Sequence, residues 1–334
     1  MARILVLGGT AWLGSEIARV ASALGHEVTC LARGEAGAVP PGATLVRADR
    51  EQPGAYDALE GEWDDVIEVS WQPRFVGGAL DALGARAAHW TYVSSISAYA
   101  DDATPGQDED APLLESLTEP TATPADYGRA KVACERMSRA AVEGRLLVSR
   151  PGLIAGPGDR SDRFGYWVSR FALADDGPVL VPLAPDQASQ VIDVRDVAEW
   201  VVNAGERGVT GTLNTVGTVH SLDGVIARAA EAAGFRGRLV SAPESWLAEH
   251  GVDYWTGERA LPLWLPGGGD YEGHGRRSNQ RYVAAGGRLR DLDAMLADTL
   301  ADERERGLDR TRKAGLSRTD ELALIEEFET ASPG

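Results

Sequence analysis

The chain has little cysteine, no clustered histidine and few basic residues. Its 334 residues include 2 cysteines, Cys30 and Cys134, which stand in separate apolar patterns. A disulfide framework is therefore excluded, and the expected compartment is the reducing cytoplasm. The 5 histidines are scattered without the short spacings that metal ligands adopt, so the sequence predicts no metal site.

Acidic residues dominate the charge, and long hydrophobic runs are missing. There are 51 acidic residues against 33 basic ones, a formal net charge of -18. Nucleic acid is excluded as a partner, because a phosphate backbone attracts basic surfaces. The apolar start of the chain stops at Gly8 and is too short for a signal sequence or a membrane span. We expect neither a nucleic-acid nor a membrane partner.

What the chain does contain is an alternation of strand-like and helical patterns. Strand-like runs occur at residues 4–7, 27–31, 44–46, 66–69, 90–93 and 145–149, and helical spacing at 13–24, 77–88 and 127–142. Residues 191–204 add a strand and a helix, and residues 212–216 a further strand. Such alternation predicts an α/β protein with a parallel sheet covered by helices on both faces.

The turn after the first strand is rich in small residues. It follows a strand and opens a helix, which is the context that a dinucleotide-binding turn requires. Small residues let the backbone approach a pyrophosphate, and the helix N-terminus supplies N–H groups for its charge. Alanine in place of the middle glycine still permits a close approach. The predicted cofactor-binding residues here are Gly8, Thr10, Ala11, Trp12, Leu13 and Gly14.

The ends of the next three strands indicate which dinucleotide binds. At the end of the second strand Arg33 stands where NAD-selective folds present a carboxylate. Because Arg33 can accept a 2′-phosphate, we predict NADP, with NAD as the alternative; an arginine on a solvated turn is the other interpretation. Asp49 and Arg50 follow the third strand, near the expected adenine. Ser70 and Trp71 end the fourth, facing the ribose or the nicotinamide.

A tyrosine and a lysine four residues apart, Tyr127 and Lys131, lie in a predicted helix. Residues at i and i+4 share a helix face, so the Lys131 ammonium can favour the ionised form of the Tyr127 phenol. Such pairs are common on solvated helices, and alone this one is weak evidence. Its position after a dinucleotide turn and after Ser94 and Ser95 makes it a candidate proton relay beside a nicotinamide.

These motifs, in this order, resemble the short-chain dehydrogenase/reductases, specifically their extended, epimerase/dehydratase-like branch. The similarity spans most of residues 1–220 and rests on residues 8–14, 49, 65–70, 93–99, 127–131, 150–158 and 191–198. It implies that Ser95, rather than Ser94, binds the substrate oxygen, that Tyr127 transfers its proton and that Lys131 also holds the nicotinamide ribose. Ser97 would be a secondary contact.

The resemblance also bears on the fold and on the nicotinamide. It implies that Pro151, Gly152 and Leu153 lie against the nicotinamide carboxamide. We predict a Rossmann-type doubly wound sheet with a smaller, mixed C-terminal lobe for the substrate. The predicted bounds are 1–155, completed by about 188–217, for the dinucleotide domain, and 156–187 with 218–334 for the substrate lobe.

The predicted function is NADP(H)-dependent reduction of a carbonyl or imine, or oxidation of the alcohol, in a small organic molecule. Two alternatives stay open: a nucleotide-sugar epimerase or dehydratase with tightly bound NAD, and a non-catalytic NADP-binding sensor. Leu153 stands where such epimerases often have asparagine, which weakens the sugar interpretation. Tyr166 and Trp167 are the favoured pocket walls, although aromatic residues are more often core. Relatives often form dimers through the helix that carries the tyrosine, so a homodimer is possible.

Overall fold

The computed structural model describes residues 1–331. The strands are β1 (Arg3–Leu7), β2 (Glu27–Ala32), β3 (Ala43–Arg47), β4 (Trp63–Glu68), β5 (Ala87–Val93), β6 (Leu146–Pro151), β7 (Leu153–Ala155), β8 (Val179–Pro182), β9 (Ala188–Asp193), β10 (Gly211–Thr215), β11 (Val219–Ser221), β12 (Leu239–Ala242), β13 (Asp253–Trp255) and β14 (Ala260–Pro262). The α-helices are α1 (Trp12–Ala23), α2 (Pro73–Leu83), α3 (Tyr127–Val142), α4 (Arg163–Ala174), α5 (Val194–Glu206), α6 (Leu222–Ala233), α7 (Glu244–Glu249), α8 (Gln280–Ala284), α9 (Leu292–Arg306) and α10 (Arg318–Ala331).

Seven parallel strands form the main sheet, in the order β10-β6-β5-β4-β1-β2-β3. Helices α1 and α5 cover one face, where Ile17 and Val197 pack on the sheet, and α2 and α3 cover the other, where Val76 and Cys134 do so. Strand β1 is an almost continuous apolar run because both of its faces are buried. The predicted doubly wound α/β fold is confirmed.

A second hydrophobic core lies among α4, α6, α9 and the two-stranded parallel sheet β12-β8. Strand β9 pairs with β7 and with β11. Strands β7 and β9 flank residues 156–187, the first segment of the predicted substrate lobe, and β11 lies at the start of its second segment. This distribution agrees with the predicted division of the chain into a dinucleotide domain and a substrate lobe, whose bounds stay a prediction.

The first turns of two helices show how the local sequence sets a helix start. The helix predicted over 77–88 begins earlier, at Pro73, and ends at Leu83 before β5. Proline is tolerated in the first turn of a helix because an N–H there would have no partner within the helix. The last helix begins with a capping serine: the Asp320 N–H donates to Ser317 Oγ at 3.0 Å. Of the helices described, none is long and apolar enough to cross a membrane.

Candidate active site

The dinucleotide turn brings backbone against backbone. A Cβ at Gly14 would lie 2.3 Å from the Gly8 carbonyl oxygen, so only glycine permits this approach. Gly8 itself has a φ of +100°, a conformation that favours glycine. The residues that the sequence predicted to hold a dinucleotide therefore form a tight cradle between β1 and α1.

The N-terminus of α1 is suited to an anion. Its first turn contains no acidic residue, and Ala11 at the N-cap position offers no side-chain acceptor to the first N–H groups. Those N–H groups and the positive end of the helix dipole are therefore available to a pyrophosphate. This arrangement fits the phosphates of NAD(P).

Two arginines meet where β2 and β3 end. Arg33 is exposed, and its guanidinium lies 3.2 Å from the Glu35 carboxylate. An acid therefore does stand near the end of β2, two residues after the position where NAD-selective folds present a carboxylate. The Arg47 guanidinium donates to the Arg33 carbonyl oxygen at 3.3 Å. Asp49 lies just beyond β3, where its carboxylate accepts from the Glu51 N–H at 3.0 Å.

Arg50 corrects the sequence-based assignment to the cofactor. Its guanidinium donates to both oxygens of Glu68, to the Tyr56 hydroxyl and to the Phe75 carbonyl. The side chains of Arg50 and Glu68 are nearly fully buried, and these bonds use the donors that a cofactor would need. Arg50 neutralises Glu68, and the pair is structural.

Tyr127 begins α3 with Lys131 one turn below it. The Lys131 ammonium donates to the carbonyl oxygens of Val93, at 2.7 Å, and of Ser70, at 3.3 Å. These contacts hold it 5.8 Å from the centre of the Tyr127 ring. The Trp71 ring packs edge-on against Tyr127 with the ring centres 5.5 Å apart. The strand ends at Ser70 and Val93 therefore orient the predicted proton relay.

Ser94 and Ser95 take different environments. The Ser94 hydroxyl donates to the buried Glu135 at 2.6 Å, which turns it away from the cleft. Ser95 lines the cleft with Tyr127, and its oxygen accepts from the Ser97 N–H at 3.1 Å. The structure thus favours Ser95 over Ser94 as the hydroxyl available to a ligand.

A glycine allows the tyrosine and the serines to meet. A Cβ at Gly128 would lie 2.1 Å from the Ser97 carbonyl oxygen. The first turn of α3 consequently packs directly on the turn formed by Ile96–Ala98. This close approach places the start of α3 at the cleft that Tyr127 and Ser95 both line.

The cleft has a volume of about 410 Å³. Its lining includes residues of the dinucleotide turn, of the proposed catalytic set and of the second lobe: Trp12, Ser95, Ile96, Ser97, Tyr127, Gly152, Leu153, Ile154, Asp159, Ser161, Arg163, Trp255 and His274. The Trp12 indole donates to the Pro157 carbonyl oxygen at 2.9 Å and so connects the dinucleotide turn to the loop after β7. Pro151 ends β6 and is buried directly before the two lining residues that follow it.

Tyr166 and Trp167 do not reach this cleft, which corrects the predicted pocket walls. Both are fully buried in the core of the second lobe. The Trp167 indole donates to the Pro262 carbonyl oxygen at 2.9 Å. Burial raises the pKa of Tyr166 to about 12, so its hydroxyl stays protonated. Helix α4 follows the cleft loop but turns these side chains inward.

Sequence reasoning missed four polar residues of the cleft: Asp159, Ser161, Arg163 and His274. Burial raises the pKa of Asp159, although the N–H and hydroxyl of Ser161 stabilise its charge. The Arg163 guanidinium lies 5.3 Å from the centre of the Trp255 ring. The net acidity and the Gly-Pro-Gly loop before Asp159 were the available signals, and neither singles out a residue. Within residues 1–331 no group of side chains suits a metal ion.

Comparisons with known proteins identify the family of this chain. The model of the NAD dependent epimerase/dehydratase family matches residues 78–217. The 2′-dehydrokanamycin reductase of Streptomyces kanamyceticus is 30% identical over 268 residues, which cover 74% of this chain and 71% of the relative. The chain belongs to the NAD-dependent epimerase/dehydratase family, and it is an NAD(P)-dependent enzyme of the extended short-chain dehydrogenase/reductase type.

Solved structures share the fold at low sequence identity. UDP-glucuronic acid 4-epimerase from Bacillus cereus, in complex with NAD, has a TM-score of 0.63 and 14% identity, covering 92% of this chain and 100% of the epimerase. The Bordetella bronchiseptica enzyme WbmG, in complex with NAD and UDP, has a TM-score of 0.66 and 16% identity, covering 91% and 94%. These likenesses concern the fold alone.

Proposed function

We propose that the protein is an NADP(H)-dependent oxidoreductase that reduces a carbonyl or imine of a small organic molecule, or oxidises the alcohol. One observation carries the proposal: Ser95 and Tyr127 line the same cleft, with the Lys131 ammonium held 5.8 Å from the Tyr127 ring. A hydroxyl, a phenol and a cation in this arrangement can bind and protonate a substrate oxygen.

Each residue has a separate role in the proposed reaction. Ser95 donates a hydrogen bond to the substrate oxygen and orients it towards Tyr127. Tyr127 gives its proton to that oxygen, and the Lys131 ammonium stabilises the phenolate that results. The reduced nicotinamide supplies the hydride when it is bound. In the alcohol-oxidising direction Tyr127 takes the proton back.

The cofactor would occupy the cradle formed by the dinucleotide turn and the N-terminus of α1. Arg33, whose guanidinium is exposed, and Arg47, whose guanidinium reaches the Arg33 carbonyl oxygen, support NADP, because guanidinium groups can bind a 2′-phosphate. Glu35 stands beside Arg33 and would have to leave it when the phosphate binds. NAD is the alternative that this acid favours. Gly152 and Leu153 would lie against the carboxamide.

Oxidation of NADPH at 340 nm tests the proposal, with 2′-dehydrokanamycin and simple cyclic ketones as the first probes. Tyr127→Phe should lower kcat by about 10²–10⁴-fold, the usual contribution of a proton donor. Its matched control, Tyr282→Phe, also removes one hydroxyl, but from a ring packed on Trp200 outside the cleft. A Tyr127→Phe enzyme with the full rate would refute the proposed proton relay.

The second candidate is an epimerase or dehydratase that returns its hydride to the substrate. The match to the epimerase/dehydratase family model supports it. Such an enzyme would co-purify with NAD and convert its substrate without a lasting change in absorbance at 340 nm. Mass analysis of the denatured protein's supernatant separates the two candidates, because the reductase releases its cofactor in each cycle.

A further inference from the structure

The second lobe contributes an imidazole to the cleft. His274 lies in the irregular segment between β14 and α8, and it lines the cleft together with Ser95 and Tyr127. Its ring packs edge-on against Trp255, with the ring centres 5.2 Å apart. Trp255 itself has a φ of +63°, a strained conformation for this residue type. This part of the cleft wall is therefore built with backbone strain.

Backbone hydrogen bonds fix the segment that carries His274. The Gly273 N–H donates to the Asp102 carbonyl oxygen at 2.8 Å, and the Gly106 N–H donates to the Arg276 carbonyl oxygen at 2.8 Å. A Cβ at Gly273 would lie 2.3 Å from the Thr104 carbonyl oxygen, so the two loops touch backbone to backbone. The imidazole is held on a rigid support.

The ion pair of Arg277 and Asp102 lies beside the imidazole. Arg277 is almost fully buried, and its guanidinium donates to Asp102 Oδ1 at 2.8 Å. His274 Nδ1 lies 3.4 Å from the same oxygen. Burial opposes the charge of Asp102, but His274 and Arg277 outweigh it and lower the pKa of this carboxyl. Asp102 is therefore an anion that faces Nδ1.

The anion determines which nitrogen of His274 is available. A carboxylate beside Nδ1 favours the tautomer with its proton on that nitrogen, which leaves Nε2 as an acceptor. The contact of Nδ1 with Asp102 at 3.4 Å is an ion contact without an aligned hydrogen bond, and Nε2 has no hydrogen-bond partner among residues 1–331. The other residues whose charges face this wall are Asp159 and Arg163, and each has a protein partner, Ser161 and the Trp255 ring. His274 is the acceptor without one.

We propose that His274 is a specificity-determining residue: Nε2 accepts a hydrogen bond from a hydroxyl on the ring that carries the substrate carbonyl, and Asp102 positions the imidazole. The inference rests on the proposed function, since it concerns the substrate of the same cleft. If His274 only filled the space beside Trp255, phenylalanine would fill that space equally well. A hydroxyl left facing an apolar group loses its partner on entering the cleft.

Kinetics with matched ketones tests this role. The probes are cyclohexanone and its 2-, 3- and 4-hydroxy derivatives, with NADPH saturating. Wild-type enzyme should prefer the best hydroxy ketone in kcat/KM by about tenfold or more. His274→Phe should reduce this preference to within about twofold, through KM for the hydroxy ketones, and should lower kcat/KM for cyclohexanone less than for the best hydroxy ketone. His274→Gln should keep part of it, because the amide oxygen accepts.

Two further variants separate positioning from folding. Asp102→Asn should lower the preference less than His274→Phe does, because the imidazole stays in the cleft and loses only its positioning charge. His250→Phe replaces a histidine that stacks on Trp246 outside the cleft, so it should behave as wild type. Thermal stability and NADPH affinity are measured for every variant.

The outcomes against the inference are distinct from those against the proposed function. A wild-type enzyme without a preference, or a His274→Phe enzyme that keeps it, overturns the role of His274. Equal losses on all four ketones in His274→Phe also overturn it. If none of the ketones turns over, their binding to the NADPH-loaded protein is compared by calorimetry, and equal binding or none overturns the role. Full turnover by Tyr127→Phe would instead refute the proton relay.

Discussion

The main sheet and the second lobe differ in how the sequence specifies the residues that line the candidate site. In the sheet, Ser95 and Tyr127 lie at the ends of a strand and at the start of a helix, where the order of motifs predicted them. In the second lobe, the predicted Trp167 is core, whereas Trp255 reaches the cleft from the end of β13 and His274 from an irregular segment. A parallel sheet collects its strand ends at one edge, so position in the chain indicates position in space. The lobe has no such rule.

Two tryptophans sharpen this comparison most. Trp167 is fully buried, with its indole bonded to the Pro262 carbonyl, so Trp167→Ala should lower the free energy of unfolding by about 3–5 kcal/mol. Trp255 is half-buried at the cleft, and Trp255→Ala should cost at most about 1 kcal/mol while weakening activity. Urea unfolding and ketone kinetics on both variants measure the contrast. Equal stability losses would show that Trp255 is core as well.

The next effect concerns the contact between α3 and the serine turn. Gly128→Ala forces the Ser97 carbonyl away, which should cost about 1–3 kcal/mol of stability and lower kcat by displacing Tyr127. Gly84→Ala is the matched control, because its Cβ would meet only Val142 at an ordinary 3.5 Å. A Gly128→Ala enzyme with wild-type kcat would mean that this approach does not position Tyr127.

A smaller effect is expected at the cofactor. Arg33→Ser should raise the Kd of NADPH about tenfold, or ~1.4 kcal/mol, and leave that of NADH unchanged. Arg236→Ser removes an equally exposed arginine that pairs with Asp175 in the second lobe, and it should change neither. Calorimetric titration of both cofactors decides between NADP and NAD. An equal change for both would assign Arg33 to the shared part of the dinucleotide.

The smallest effect is the low reactivity expected of the two buried thiols, Cys30 and Cys134. Burial raises the pKa values of Cys30 and Cys134 to about 11, so at pH 8 only about one thiol in a thousand is ionised. Neither cysteine should react with an aromatic disulfide reagent until the sheet unfolds. In the Trp167→Ala variant the thiols should stay unreactive at urea concentrations that unfold only the second lobe. Early labelling of that variant would show that the two cores unfold together.

Arg50 shows why a correct strand boundary does not ensure a correct role. The residue follows β3 as expected, but its guanidinium is paired with Glu68 in β4. A buried acid there requires a cation, and Arg50 supplies it. No pattern within one segment contains that requirement, because the two residues are paired only by the order of strands.

By itself the sequence determined the strand–turn–helix that opens the chain, the alternation that builds a doubly wound sheet, and the helix that puts Tyr127 one turn from Lys131. These features depend on spacings of a few residues, which hydrophobic periodicity and glycine make legible. Only the tertiary structure decided that α4 turns Tyr166 and Trp167 inward and that His274 faces the cleft of Tyr127. Such contacts join segments far apart in the chain: α4 packs into the core of its own lobe, and the segment of His274 packs on the loop at residues 102–106.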